Sequence, residues 1–380
     1  MGVLTESPTD RLTRPAAADF VRVVAVFSVG WFHIWQQSWV RAGALEFWPR
    51  SGAVWVDVMI LLSAFCLFLP AANDMAQGRT PAAIRPRAFW RKRAVRILPG
   101  YYAVLAAALV WQLAFHGWYE DLPLDLAAHL TLTQTWFRQS YLFTRLNGVT
   151  WTLGVLAGLY LVFPWLARLL AARPLPALAA LLAVQGAATA WLLPQYGTIR
   201  YQMGFNQLPA FCGVLAAGFA AALALAVLGR RPALQTTLAR TGFTAAGLAA
   251  FGVLAWLLKQ QAGAGEYQLH QLVWRMPLAL AAAAMLVCLS LGLPLPFPRL
   301  WRWLAGISYQ FYLWHQMLAV WLKYDLRLPP WSGDIPPNQL GDTLWMRRYA
   351  LLVWAAALAA AVAATYGLER PAVGRLSSKA

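Results

Sequence analysis

Residues 17–37 read AADFVRVVAVFSVGWFHIWQQ. Only Asp19, Arg22 and His33 interrupt this run with ionisable groups. Its length matches the roughly 20 residues that an α-helix needs to cross bilayer hydrocarbon. Comparable runs recur near 52–70, 95–115, 149–170, 176–193, 208–228, 241–258, 272–292, 303–324 and 348–367. Lipid cannot satisfy the backbone groups of an open strand, so each run is expected as a helix. The sequence therefore predicts an all-α integral membrane protein, a bundle of about ten transmembrane helices.

Composition points the same way. Of 380 residues, 60% are hydrophobic and 12% charged, with mean hydropathy +0.52. A soluble domain carries roughly 25% charged residues. Half that share cannot cover a water-facing surface, and lipid is the remaining solvent. The apolar runs fill the chain, so 1–380 is expected as one transmembrane domain, with short tails at 1–16 and 368–380.

The net charge of +17 would suggest nucleic acid in a soluble protein. In a membrane protein, cytoplasmic loops collect Lys and Arg, and anionic lipid headgroups attract them. Membrane lipid, not nucleic acid, is the expected partner. The 21 Trp fit interfacial belts. Cys66, Cys212 and Cys288 lie in separate apolar runs, which is neither metal-ligand spacing nor a disulfide framework; no metal site is expected. The small-residue stretch 15–18 precedes the first apolar run instead of following it, so that run reads as a retained helix.

With the N-terminus placed in the cytoplasm, about 19 of the 31 basic residues fall inside, against about ten outside. Those inside include Arg11, Arg14 and Lys379, and above all the run Arg79 to Arg96. Both termini are then expected to be cytoplasmic, with extracytoplasmic loops at about 116–148 and 325–347.

An ionisable group at membrane depth costs at least ~2.5 kcal/mol, so it tends to have a partner or a task. Arg22 and His33 are 11 residues apart, close to three helical turns, and share a face about 16 Å apart. Asp19 is placed to pair with Arg22. His33 is either a functional group or a histidine satisfied by a neighbouring helix. Asp57 and Ser63 lie in 52–68, GAVWVDVMILLSAFCLF. Asp57 is expected to face the interior and to orient a histidine or pair with an arginine. Ser63 reads first as a small packing residue. In 87–102, RAFWRKRAVRILPGYY, Lys92, Arg93 and Arg96 share one turn at the cytoplasmic boundary. That stretch is a positive-inside anchor, and it could also hold a phosphorylated cofactor. His315 ends 308–315, SYQFYLWH, and reads as part of an aromatic packing segment. Arg275 is an inward-facing charge that needs a carboxylate.

Several elements, in this order, resemble acyltransferase family 3, whose members move acyl groups, often acetyl, onto extracytoplasmic acceptors. The family's Arg, ten residues, His element is met by Arg22 and His33. Its Asp-containing second helix ending in Ser-Gly-Phe resembles Asp57 through Ser63, Ala64 and Phe65. Its basic pair before Arg-Ile-Leu-Pro is matched by Lys92, Arg93 and Arg96 to Pro99. Its Ser-Tyr…Tyr-Leu-Trp-His and Glu-x-Pro segments are matched at Ser308 to His315 and at Glu369 to Pro371. One element departs. Where the family shows Trp-Ser-Leu-x-x-Glu, this chain has Trp151, Thr152, Leu153 and then Leu156.

The resemblance implies acyl-CoA, most often acetyl-CoA, as donor, with Arg22, Lys92, Arg93 and Arg96 holding its phosphates. It implies His33 as general base, with Arg22, Asp57 and Glu369 in the catalytic set and Asp57 or Glu369 as substitute for the missing carboxylate. Ser63, Trp151 and Tyr160 fall at candidate substrate-binding positions. The acceptor would be an extracytoplasmic glycan or small hydroxylated molecule of the cell envelope, and the location the plasma membrane. Trp118, Trp136 and Trp331 read as interface anchors before sugar platforms. Two other classes stay open: a transporter or flippase using Arg22, His33, Asp57 and Arg275 as a path, and an inactive relative acting as an envelope scaffold. An enzyme should show a tunnel from the basic face to His33 with a carboxylate in reach of it.

Overall fold

A computed structural model describes residues 15–378. Most of the 1–16 tail, with Arg11 and Arg14, and Lys379 lie outside the described residues. Ten long helices form, and no strand occurs among the described residues. They are α1 (Ala16–Ser38), α2 (Trp55–Ala76), α3 (Pro86–Phe115), α4 (Trp151–Ala172), α5 (Pro174–Leu192), α6 (Cys212–Leu228), α7 (Thr237–Gly263), α8 (Tyr267–Leu291), α9 (Pro298–Val320) and α10 (Thr343–Ala364).

Nine of these are long and apolar enough to cross a membrane; α9 is the exception. Its 23 residues are long enough, about 34 Å, but include Arg299, Arg302, Gln310, His315 and Gln316. Its contacts with α1 show how it spans the same depth. Phe20 meets Trp301 with ring centroids 5.0 Å apart, and Phe27 stacks on Phe311 at 4.5 Å. Further along, His33 meets His315, and Lys323 Nζ donates to the Gln37 carbonyl at 2.7 Å. The two helices run parallel over their whole length. Gln310, Tyr312 and His315 of α9 are buried, so the polar groups in its middle meet protein and not lipid, while Arg299 and Arg302 are exposed near its start.

Small residues set the closest approaches. A Cβ on Gly30 would come 2.5 Å from Phe311 of α9, so only glycine lets that ring lie against α1. At the periphery α5 and α7 expose Leu175, Leu182, Leu238, Leu248 and Trp256. In water such faces would be a large apolar patch; in a membrane they are the lipid contact.

Arg87 to Arg96 of the basic run lie inside helix α3, and Arg79 and Arg85 in the connection before it. Pro86 at the start pre-sets the helical φ, and α3 begins nine residues before the expected apolar boundary. Arg93 and Arg96 are thereby fixed on a rigid element. Segment 116–148 holds a helix, Leu122–Leu130, anchored by buried Asp125. That carboxylate accepts from Tyr119 at 2.6 Å and from Thr144 at 2.9 Å. Burial, and then the Asp125 carboxylate, push the Tyr119 phenol well above its ordinary range, which keeps it the donor. Asp342 caps α10, accepting from the Trp345 amide at 2.9 Å.

Candidate active site

A cavity of about 460 Å³ enters between α1, α2, α3, α4 and α9 at the basic end of the bundle. Arg22 of α1 and Arg93 and Arg96 of α3 line it there, with Tyr160, Ser63 and Glu369. Arg93 lies 5.2 Å from the Phe89 ring and 5.9 Å from the Tyr160 ring. Its Nε is buried and makes no hydrogen bond, leaving a donor for an anionic ligand. Arg22 Nη2 donates to Cys66 Sγ, a weak acceptor, at 3.8 Å. Ser63 Oγ donates to the Met59 carbonyl at 3.0 Å, the back-bond of a helical serine. Along α2 the lining runs from Leu69 to Val56, which is about 20 Å of helix. The cavity therefore reaches most of the way across.

At its far end stand Val26, Val56, Thr152 and Tyr312. Tyr312 donates to the Val149 carbonyl at 2.8 Å, and Thr152 Oγ1 donates to the Tyr312 oxygen at 3.0 Å. Beyond them a second cavity, of about 380 Å³, opens at the opposite end of the bundle. Gln112, His116, Thr144, Asn147, Gln316 and Asp325 supply its polar lining. Tyr312 and Gln316, four residues apart, lie on one face of α9. One face of this helix thus borders both cavities, with Tyr312 as the partition.

His33 lines neither cavity; it meets His315, whose ring lies 5.7 Å from that of Tyr312. It is seven residues beyond Val26, about 10 Å along α1. Its Nδ1 is 2.8 Å from His315 Nε2. His315 is fully buried, its ring stacked on Phe311 at 5.5 Å and 5.7 Å from the Tyr312 ring. As a whole residue His33 is half-buried.

Several expected partnerships are not formed. Among the described residues no carboxylate pairs with His33. Asp57 Oδ2 is 3.2 Å from Arg275 Nε, and both side chains are buried. Arg275 Nη1 also donates to the carbonyls of Phe205 and Ala210, and its guanidinium sits 4.1 Å from the Phe211 ring. Asp57 is thus the carboxylate Arg275 needed, and the pair ties α2 to α8 and the 205–211 segment. A charge pair so enclosed lines neither cavity, so the path expected of a transporter is not formed by Asp57 and Arg275. Glu369 sits at the basic end, accepting from Gln310 Nε2 at 2.8 Å, far along α9 from His315. Lys92 is exposed and Trp151 stacks towards Phe211; neither lines the cavity. Tyr160 and Leu156 do line it.

The residues that sequence reasoning passed over are His315 and Tyr312. Both lie in SYQFYLWH, and the available signal was a histidine among rings on a helix too polar to face lipid.

The model of the acyltransferase domain of acyltransferase family 3 matches residues 16–370. The chain belongs to this family. It is a multi-pass membrane protein of an acyltransferase family, and the match covers all ten long helices. Comparison with curated proteins and with solved structures finds no match. Leu156, at the position where the resemblance predicts Glu, places an apolar side chain in the cavity wall.

Proposed function

We propose that the protein transfers an acyl group, in the simplest case acetyl, from acyl-CoA at the basic end to a hydroxyl at the opposite face. The whole chain acts as one transferase domain. The observation that carries this reading is the cavity that starts among Arg22, Arg93 and Arg96 and ends at Tyr312, beside the His33–His315 pair. Arg93 and Arg96 hold the phosphates, which guanidinium groups suit by their forked donors. The slender arm of the donor follows the cavity along α2. The acceptor, a glycan or small hydroxylated envelope molecule, enters the polar cavity lined by Gln112, Asn147 and Gln316. By the positive-inside rule the basic end faces the cytoplasm, and the protein sits in the plasma membrane.

His33 Nε2 is the general base. It takes the hydroxyl proton as the acceptor oxygen bonds to the thioester carbon. The C–S bond breaks, the leaving sulfur takes the proton back from His33, and the products are an ester and free CoA. The Tyr312 ring has to leave the partition for the thioester to reach His33. The two hydrogen bonds it gives up contribute about 1 kcal/mol each, a cost that thermal motion meets readily.

A second reading, a family member without transferase activity, has Leu156 in its favour. Free CoA release from acetyl-CoA, by purified protein in lipid with envelope extract as acceptor, separates the two. Release by wild type and its loss in His33→Ala supports the transferase. No release by folded wild type, with release gained on Leu156→Glu, supports the inactive relative.

A further inference from the structure

We propose that His315 is a positioning residue that fixes the tautomer of His33, through backbone carbonyls, in place of a carboxylate. This rests on the reading of His33 as the base. His315 Nδ1 lies 2.8 Å from the Tyr312 carbonyl oxygen and 3.1 Å from that of Phe311. A carbonyl oxygen only accepts, so Nδ1 carries the hydrogen. A neutral imidazole has one N–H, which leaves Nε2 of His315 as an acceptor. The only group facing it is His33 Nδ1, at 2.8 Å, so His33 donates from Nδ1. The lone pair of His33 is thereby placed on Nε2, at the far side of the ring from His315. A carboxylate beside Nδ1 would impose the same tautomer.

The packing holds His315 to this task. Its ring lies nearly parallel to Phe311, at 8°, and Phe311 in turn packs against both Phe27 and Trp354, which also meet each other. Turning the His315 Nδ1 away from the carbonyls would forfeit the hydrogen bonds to Phe311, Tyr312 and His33. When His33 Nε2 takes a proton from the acceptor, the Nδ1 proton can shift toward His315 Nε2. The positive charge then spreads over two rings and onto the two carbonyl oxygens.

The test uses full-length protein in lipid nanodiscs with ¹⁵N-labelled histidine, as wild type, His33→Ala, His315→Leu and His315→Gln. The wild-type ¹⁵N spectrum is expected to show His33, identified by its loss in His33→Ala, as the Nδ1–H tautomer. His315→Leu keeps the volume and removes the side-chain acceptor, leaving the Val29 carbonyl as the remaining acceptor near the His33 ring. It is expected to shift His33 toward the Nε2–H form and to lower kcat on the order of a hundredfold at unchanged KM for acetyl-CoA. His315→Gln retains an acceptor oxygen near the position of Nε2 and is expected to recover most of that loss. An Nε2–H tautomer of His33 in wild type, or a wild-type rate in His315→Leu, overturns the proposal and leaves the transferase intact. A wild type that releases no CoA removes the transferase reading and this proposal with it.

Discussion

The hydroxyl of Tyr312 bridges the Val149 carbonyl, at 2.8 Å, and Thr152 Oγ1, at 3.0 Å, and so closes the gap between the basic cavity and the polar one. Tyr312→Phe keeps the ring and removes both bonds, about 1 kcal/mol each. The partition then opens more often. The expected outcome is faster hydrolysis of acetyl-CoA in the absence of acceptor, by a fewfold, with KM for acetyl-CoA unchanged. The ratio of hydrolysis to transfer measures it.

Arg93 and Arg96 line the basic mouth, whereas Lys92 points away from it. Each charge-assisted hydrogen bond to a phosphate contributes roughly 1.5–3 kcal/mol. Arg93→Gln and Arg96→Gln are each expected to raise KM for acetyl-CoA about tenfold or more and to leave kcat nearly intact. Lys92→Gln is expected to stay close to wild type. Steady-state kinetics on the three variants check this.

The Asp57–Arg275 pair is buried on both sides, so removing one partner strands the other. Arg275→Met is expected to destabilise the bundle by about 3–5 kcal/mol. Asp57→Leu combined with Arg275→Met is expected to be more stable than Arg275→Met alone. Thermal unfolding in detergent, with all variants at the same protein concentration, gives the comparison.

Gly30 leaves the room that Phe311 occupies, and Phe311 is the stacking partner of His315. Gly30→Ala is expected to displace that ring and to reduce kcat more than it changes KM. Normal activity in Gly30→Ala would show that the aromatic stack does not govern the histidine pair.

Helix number and position were legible because hydrocarbon demands length and apolarity of any residue that faces it. The run at 303–324 named α9 as well, although α9 is the one of the ten whose composition falls short of a membrane span. Its Gln310 and His315 lower its hydropathy, and only its burial against α1 and α10 explains how it crosses. The basic mouth was legible too, since Arg22, Arg93 and Arg96 sit on two helices that begin at one face. Partners across helices were not. Asp57 and Arg275 are 218 residues apart, and His33 and His315 are 282 apart. Periodicity assigns a side chain to a face of its own helix but says nothing of which helix lies opposite. Hence Asp57 and Glu369 looked available to His33, when one is held by Arg275 and the other lies at the wrong end of α9.

The central claim is transfer across the bundle, from the end of Arg93 to the end of Gln316, through His33. The most direct test places the protein in sealed liposomes of known orientation. Acetyl-CoA labelled in the acetyl group is supplied only on the side of the basic end, and a glycan acceptor only on the other. Label on the enclosed acceptor with wild type, and none with His33→Ala, is the expected result. Label that appears only when donor and acceptor share one side, or that persists in His33→Ala, would contradict it.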